Sequence, residues 1–257
     1  MCIRDSPWTC SVLGNYLMRF FITYSQPSVE KKALSLSKKL NLELFDDSGI
    51  YDTDSFSSDY FLICKSERLI LKKGLRKNAK PIFCDFDDWV SNYDDSLLKK
   101  ALKGLPKKFS CLDVTAGFGK DSLEISKSNN CHSILLLEKA TWLHALLQDG
   151  LENVNTSEAK ELTRKFTLCN IDNLTFLNSS IKNFDLIYID PMFYGVQRSK
   201  AKKHMQALRD LLPELKQEGL LKECLNSARY RVIVKRHKHM NYLEDLVPTR
   251  SVEGKVV

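Results

Sequence analysis

From about Ser110 the chain settles into an alternation that leaves few folds open. Ser110-Cys-Leu-Asp113, Ser133-Ile-Leu-Leu-Leu-Glu138, Phe166-Thr-Leu-Cys169, Phe184-Asp-Leu-Ile-Tyr-Ile-Asp190 and Tyr230-Arg-Val-Ile-Val-Lys235 are apolar runs of strand length. Helical patterns stand between them: one opens at Lys120, one spans Thr141 to Leu151, and one runs from Ser199 to about Leu212. Short apolar strands joined by helices imply parallel βαβ units covered on both faces. Residues 101–257 are therefore expected to form a doubly wound α/β sheet.

Residues 19–100 read as a small α+β unit. Phe20-Phe-Ile-Thr-Tyr24 is a short strand, and Ser28 is expected to cap a helix through Leu34, Leu36 and Leu40. Tyr60-Phe-Leu-Ile-Cys64 and Arg68-Leu-Ile-Leu71 flank the turn-prone Lys65-Ser-Glu67, which suggests a hairpin. Pro81-Ile-Phe-Cys-Asp85 reads as one more strand. The boundary near residue 100 rests on the change of pattern alone. Met1-Cys-Ile-Arg-Asp-Ser6 lacks a signal peptide's order of charge, apolar run and cleavage site and resembles the adapter-derived strings of translated metagenomic assemblies, so residues 1–18 are expected to be a non-native leader with the native start near Met18.

At 257 residues, 43% hydrophobic and 28% charged, the chain is neither disordered nor fibrous. Thirty-nine Lys and Arg against thirty-two Asp and Glu give +7, a mild lean toward polyanions. The cysteines (Cys2, Cys10, Cys64, Cys84, Cys111, Cys131, Cys169, Cys224) are scattered without a C-x-x-C pair, so they read as reduced and structural, and the compartment as cytoplasmic. The most apolar stretch, Val12 to Tyr24, is broken by Asn15 and Arg19, which argues against a membrane span.

In a doubly wound sheet the ligand lies beyond the carboxyl ends of the strands. Three of those ends carry acids: Asp113, Glu138 and Asp190. The first strand runs into Asp113-Val-Thr-Ala-Gly-Phe-Gly119-Lys-Asp121, where Gly117 and Gly119 allow either a close ligand approach or an ordinary strand-to-helix turn. Ser122 occupies the place of a third glycine, so the full dinucleotide fingerprint is absent. Glu138 lies 138 − 117 = 21 residues after the first glycine. That is close to the spacing at which an acid meets ribose hydroxyls, and it favours a nucleoside-containing cofactor. Asp172 and Asn173 follow the third strand; spacing alone favours an Asx turn there over an adenine contact.

Asp190-Pro-Met-Phe193 ends the fourth strand. An exocyclic amine on a nucleobase is a poor nucleophile, and a carboxylate beside a proline-fixed carbonyl could orient it, with an aromatic ring stacked on the base. A proline-containing strand exit with a core Phe would look the same, and four residues do not decide. Arg198, Lys200, Lys202, Lys203 and His204 follow this motif, Lys235-Arg-His-Lys-His239 follows the fifth strand, and Lys72 to Lys80 is a third basic segment. Their place beside the acidic strand ends favours RNA phosphates over a merely solvated face. His237 and His239 have no third ligand near in sequence, so no metal site is expected.

Leu112-Asp-Val-Thr-Ala-Gly-Phe-Gly-Lys-Asp121, Leu136-Leu-Glu-Lys139, Ala145-Leu-Leu-Gln-Asp-Gly-Leu151, Tyr188-Ile-Asp-Pro-Met-Phe193 with Lys200 to Met205, and Val232-Ile-Val-Lys-Arg236 together resemble the ribosomal RNA small-subunit methyltransferase J family, which are guanine N2-methyltransferases. The resemblance implies a Rossmann-like S-adenosylmethionine-dependent methyltransferase sheet with a small N-terminal α+β unit. It implies cofactor contacts at Lys120, Asp121, Glu138, Lys139, Asp172, Asn173 and Asp190, to which the strand end and glycine turn add Asp113, Gly117 and Gly119 as candidates. Catalysis would fall to Asp190, Pro191 and Phe193, and RNA binding to Arg198, Lys200, Lys202, Lys203, Lys235 and Arg236. The implied partner is small-subunit ribosomal RNA or the assembled small subunit, met by a monomer with no membrane association. Lys120 and Lys139 stand where arginine is common in the family, which keeps charge but loses the bidentate fork. Asp172-Asn173 stand where it usually has paired serines. After Gly254-Lys255 the family pattern continues into one more strand, so the domain is expected to be shortened at its C-terminus and less stable for it.

A DNA adenine amino-methyltransferase would also carry an Asp/Asn-Pro-Pro-aromatic exit; Met192 in place of the second proline argues against it. A non-catalytic RNA-binding protein of the same fold would have no use for carboxylates at 138 and 190 beside phosphates.

Overall fold

The computed structural model describes residues 18–45, 56–75, 78, 80–179, 183–191, 203–212, 218–237 and 240–254. The chain divides into two compact units: residues 1–83 with 198–213, and residues 84–197 with 214–257.

In the smaller unit β1 (Phe20–Tyr24) is followed by α1 (Glu30–Leu40), β2 (Glu43–Leu44), β3 (Tyr60–Cys64) and β4 (Leu69–Lys73). The strand order is β2-β1-β3-β4, with β1 parallel to both neighbours and β3–β4 the expected antiparallel hairpin. Phe21, Phe61, Ile63, Ile70 and Leu75 fill its core against Phe45, Phe56 and Phe83. Two local expectations fail. Ser28 does not cap α1: it sits in a 3-10 turn, Pro27–Val29, where its hydroxyl accepts from Gln26 Nε2. Pro81–Asp85 forms no strand, only a single bridge from Ile82 to Leu71.

The larger unit opens with two helices that the sequence pattern did not announce, α2 (Phe86–Asn92) and α3 (Ser96–Ala101). Each is capped by an aspartate: Asp85 accepts from the Asp88 N–H, and Asp95 from the N–H groups of Leu97 and Leu98. The alternation follows as β5 (Phe109–Asp113), α4 (Lys120–Ser126), β6 (Cys131–Leu137), α5 (Thr141–Glu152), α6 (Ser157–Thr163), β7 (Phe166–Cys169), α7 (Asn173–Asn178) and β8 (Phe184–Ile189). Helix α8 (Lys203–Leu211) belongs to the smaller unit, where Asp210 accepts from Tyr60 Oη at 2.8 Å and Lys73 Nζ at 2.7 Å. Helix α9 (Leu220–Ser227) and β9 (Ala228–Val234) complete the described elements of the larger unit.

All five strands of this sheet are parallel, in the order β7-β6-β5-β8-β9. The fold is thus a doubly wound α/β sheet. The order reverses at β5, so the crevice for a ligand lies beyond the carboxyl ends of β5 and β8. One face of the sheet is closed by Leu220, Leu221 and Cys224 of α9 against Leu112, Ile187 and Ile189. Gly150 on α5 lets the helix press onto Cys84; a Cβ there would stand 2.4 Å from the Cys84 Cβ. The described cysteines are all free. No helix among the described residues is long and apolar enough to cross a membrane.

Candidate active site

Asp113 ends β5 and is buried. One carboxylate oxygen accepts from the Thr115 N–H at 3.0 Å, the other from the Ser122 hydroxyl. Burial pushes this acid up to about 6. Its oxygens brace the following turn from inside. That turn carries Gly117 (φ +56°) and Gly119 (φ +80°), both left-handed. At Gly119 a Cβ would also meet Leu147 at 2.9 Å and Phe86 at 3.2 Å, so glycine is needed twice over. At Gly117 the nearest atom to an added Cβ is the Thr115 carbonyl oxygen at 3.8 Å, which leaves the turn open to a ligand.

Glu138 follows β6 and receives the Gly117 N–H at 3.0 Å and the Ala140 N–H at 2.7 Å, one on each oxygen. Burial pushes it up to about 7, against the pull of those backbone donors and that of Lys139. A carboxylate offers about four acceptor positions. The backbone therefore leaves room for a ribose hydroxyl, whose donated hydrogen bond would favour the charged form. Open space over Gly117 beside an under-coordinated buried carboxylate fits a nucleoside cofactor. Asp172 caps α7 through the Thr175 N–H at 3.0 Å and pairs with Lys139 at 3.0 Å; these contacts hold it low although burial works the other way. Asn173 is buried, giving its amide to the Val114 carbonyl.

The other half of the edge is built from side chains. Asp190 stands just past β8, with its N–H on the Thr115 hydroxyl at 2.7 Å. Its side chain keeps 41% of its surface open. Lost hydration raises its proton affinity, Lys235 lowers it, and Asp121 and Asp113 raise it again, for a net upward shift. Lys235, just past β9, bonds both oxygens of Asp121 at 2.9 and 2.8 Å and lies 3.7 Å from Asp190 and 3.9 Å from Asp95. Asp121 also accepts from Tyr93 Oη at 2.6 Å and Tyr188 Oη at 2.7 Å. Burial works against its charge, but Lys235 and the two phenols hold it low. Lys120 places its ammonium over the rings of Trp89 (4.4 Å) and Tyr93 (5.8 Å).

Lys235 and Arg236, expected to meet phosphates, have partners inside the chain: Arg236 stacks on Tyr242 at 4.2 Å and bonds the Met240 carbonyl. Pro191 is half-buried at the strand exit. Phe193, Arg198, Lys200 and Lys202 lie outside the described residues, and Lys203 is described only as backbone in α8. No three-residue metal-ligand cluster occurs among the described residues. Residues that the sequence did not single out are Tyr93, Thr115 and Tyr188. Asp95, an acid directly before Ser96-Leu-Leu, was the available sign of the helix start beside Tyr93.

A doubly wound parallel sheet with a glycine turn, an acid after the second strand and an Asp-Pro exit after the fourth defines the class of nucleoside-cofactor methyltransferases. A family model described as "Putative SAM-dependent methyltransferase" matches residues 51–257. A ribosomal RNA small subunit methyltransferase J of Coxiella burnetii is 31% identical over 228 residues, covering 84% of this chain and 85% of that one. The protein of that name in Francisella tularensis is 33% identical over 173 residues, covering 62% and 71%. A solved SAM-dependent methyltransferase of Neisseria gonorrhoeae has the same fold, with a TM-score of 0.63, 20% identity and 91% of each chain covered. The chain belongs to the ribosomal RNA small subunit methyltransferase J family and depends on S-adenosylmethionine.

Proposed function

We propose that this chain methylates the exocyclic N2 of a guanine in small-subunit ribosomal RNA, as a cytoplasmic monomer acting on free RNA or on the assembled subunit. The observation that carries the reading is Asp190: a half-open carboxylate at the switch point, its backbone fixed by Thr115 and its charge faced by Lys235. The names borne by the Coxiella and Francisella relatives support the choice of RNA.

S-adenosylmethionine supplies an electrophilic methyl group whose bonding pair leaves with sulfur. The glycine turn and Glu138 hold its nucleoside, with Asp113 bracing the turn from within. Lys120, Asp121, Lys139, Asp172 and Asn173 line or brace the same edge. Asp190 and the Pro191 carbonyl accept the two amine hydrogens, which turns the nitrogen lone pair toward the methyl group. As the N–C bond forms, the surplus proton passes to Asp190, whose raised proton affinity suits it to receive one. Phe193 stacks on the base, which must leave its helix to reach the strand edge. Arg198, Lys200, Lys202 and Lys203 meet phosphates, while Lys235 steadies Asp190 rather than the RNA.

The test is transfer of labelled methyl to small-subunit RNA, free and assembled, followed by mapping of the labelled nucleotide. Label at N2 of one guanine is expected; label on another atom, or on neither substrate despite cofactor binding, would overturn the reading.

A further inference from the structure

The parallel sheet puts all five strand beginnings of the larger unit on one edge, opposite Asp113, Glu138 and Asp190. Cations lead into these strands: Lys107 and Lys108 before β5, Lys127 before β6, Arg164 and Lys165 before β7, and Arg229 and Arg231 in β9. The described acids near them are already paired. Their partners are mostly these same cations: Glu161 lies 3.6 Å from Arg164, Asp185 lies 3.7 Å from Arg229, and Glu124 lies 3.2 Å from Lys127. The cations of this edge without a salt bridge among the described residues include Lys107 and Lys108.

A recess of about 410 Å³ opens on the basic edge, lined by Lys99, Lys103, Gly104, Lys127 and Asn130. Its floor is Glu124, buried, with neither oxygen hydrogen-bonded. Glu124 instead lies 3.5 Å from Lys99 and 3.2 Å from Lys127, and Lys127 also bonds the Tyr93 carbonyl at 2.6 Å. With Asp94 also on Lys99, these two ammonium groups are matched by two carboxylates, and Lys103 is left as the recess cation with no salt bridge among the described residues. Lys103, Lys107 and Lys108 are exposed and form no salt bridge among the described residues. Gly104, at φ +82°, brings bare backbone to the rim, where an added Cβ would meet only Arg231 at 3.9 Å. Among the described residues no aromatic ring lines the recess to stack a base, so its chemistry suits phosphate oxygens and not sequence readout.

We infer that this amino edge, centred on the exposed Lys103, Lys107 and Lys108 beside the recess, is a second docking surface for the sugar-phosphate backbone of a large folded RNA. The inference rests on the reading of RNA as substrate. The sheet separates the two edges by about 15 Å, the length of a five-residue strand. A short hairpin seated at Asp190 would leave the basic edge empty, whereas an RNA of several helices could span both.

The experiment compares the chain with its Lys103→Glu, Lys107→Glu, Lys108→Glu variant. Each is titrated over a range of salt with a labelled small-subunit RNA fragment of several helices and with one isolated hairpin. The long fragment should bind the variant about tenfold or more weakly, with the slope of log affinity against log salt flattened by roughly 2 to 3. The hairpin and S-adenosylmethionine should bind both proteins alike. If the triple variant fails to fold, Lys103→Glu alone should still weaken the long fragment about threefold. Unchanged affinity for the long fragment, equal weakening of both RNAs, or no RNA binding by the parent chain would overturn the inference. Long-fragment binding without methyl transfer would instead count against the proposed reaction and still leave the two-edge comparison decided.

Discussion

The β5–β6 half and the β8–β9 half of the carboxyl edge present acids at the same height in the sheet but hold them differently. Asp113 and Glu138 are buried and receive backbone N–H groups, so local chain conformation fixes them. Asp190 is half-open, and its side chain answers to Lys235, itself held by Asp121 and the phenols of Tyr93 and Tyr188. Backbone donors cannot move without rebuilding the turn, which suits an invariant cofactor. Side-chain partners can adjust their charge, which suits a site where a proton changes hands.

Substitutions should separate the halves. Asp190→Ala has the largest expected effect: transfer falls by about 10²- to 10⁴-fold while cofactor affinity and melting temperature hold. Calorimetry beside a turnover assay checks it, and near-normal turnover would break the division. Glu138→Ala should do the reverse. Losing charge-assisted hydrogen bonds of about 1.5–3 kcal/mol raises the cofactor Kd ten- to a hundredfold, with turnover at saturation little changed.

The same acid predicts a pH dependence. Because burial lifts Glu138 from its ordinary 4.5 to about 7, it is protonated in the folded chain where a free glutamate is ionised. Folding then binds a proton between those values, so Glu138's contribution to stability declines as pH rises from 4.5 to 7. Cofactor binding wants the charged form, so affinity should weaken as pH falls through 7, by up to about tenfold per unit. A flat affinity across pH 7 would remove Glu138 from the nucleoside contact.

The smallest effect belongs to Lys235→Met. Turnover should fall about tenfold and its acidic limb should move to higher pH, because Asp190 loses its cation. Lys235→Arg should restore most of both. A drop in turnover with no movement of the pH profile would reduce Lys235 to a structural brace.

Much of the larger unit was legible because strand length and helix period are local properties: five strand positions and the acids at 113, 138 and 190 followed from pattern alone. Helices α2 and α3 were not, since at seven and six residues they are too short to display a periodic face. The partners of Asp121 were illegible for another reason. Tyr93, Tyr188 and Lys235 lie 28, 67 and 114 residues away, and no spacing rule spans those separations. Ser28 misled because a cap preference cannot tell an α-helix start from the 3-10 turn ahead of it.

The place of α8 has a consequence for synthesis. Lys73 and Tyr60 wait 137 and 150 residues for Asp210. At ribosomal speeds of roughly 5–20 residues per second, that is an interval on the order of ten seconds. During it the small sheet exists without the helix that completes it, while the first βα segments of the larger unit are already emerging. A fragment ending at residue 83 would lack both Asp210 contacts, so its strands, though contiguous in sequence, would be left without the helix that answers Tyr60 and Lys73.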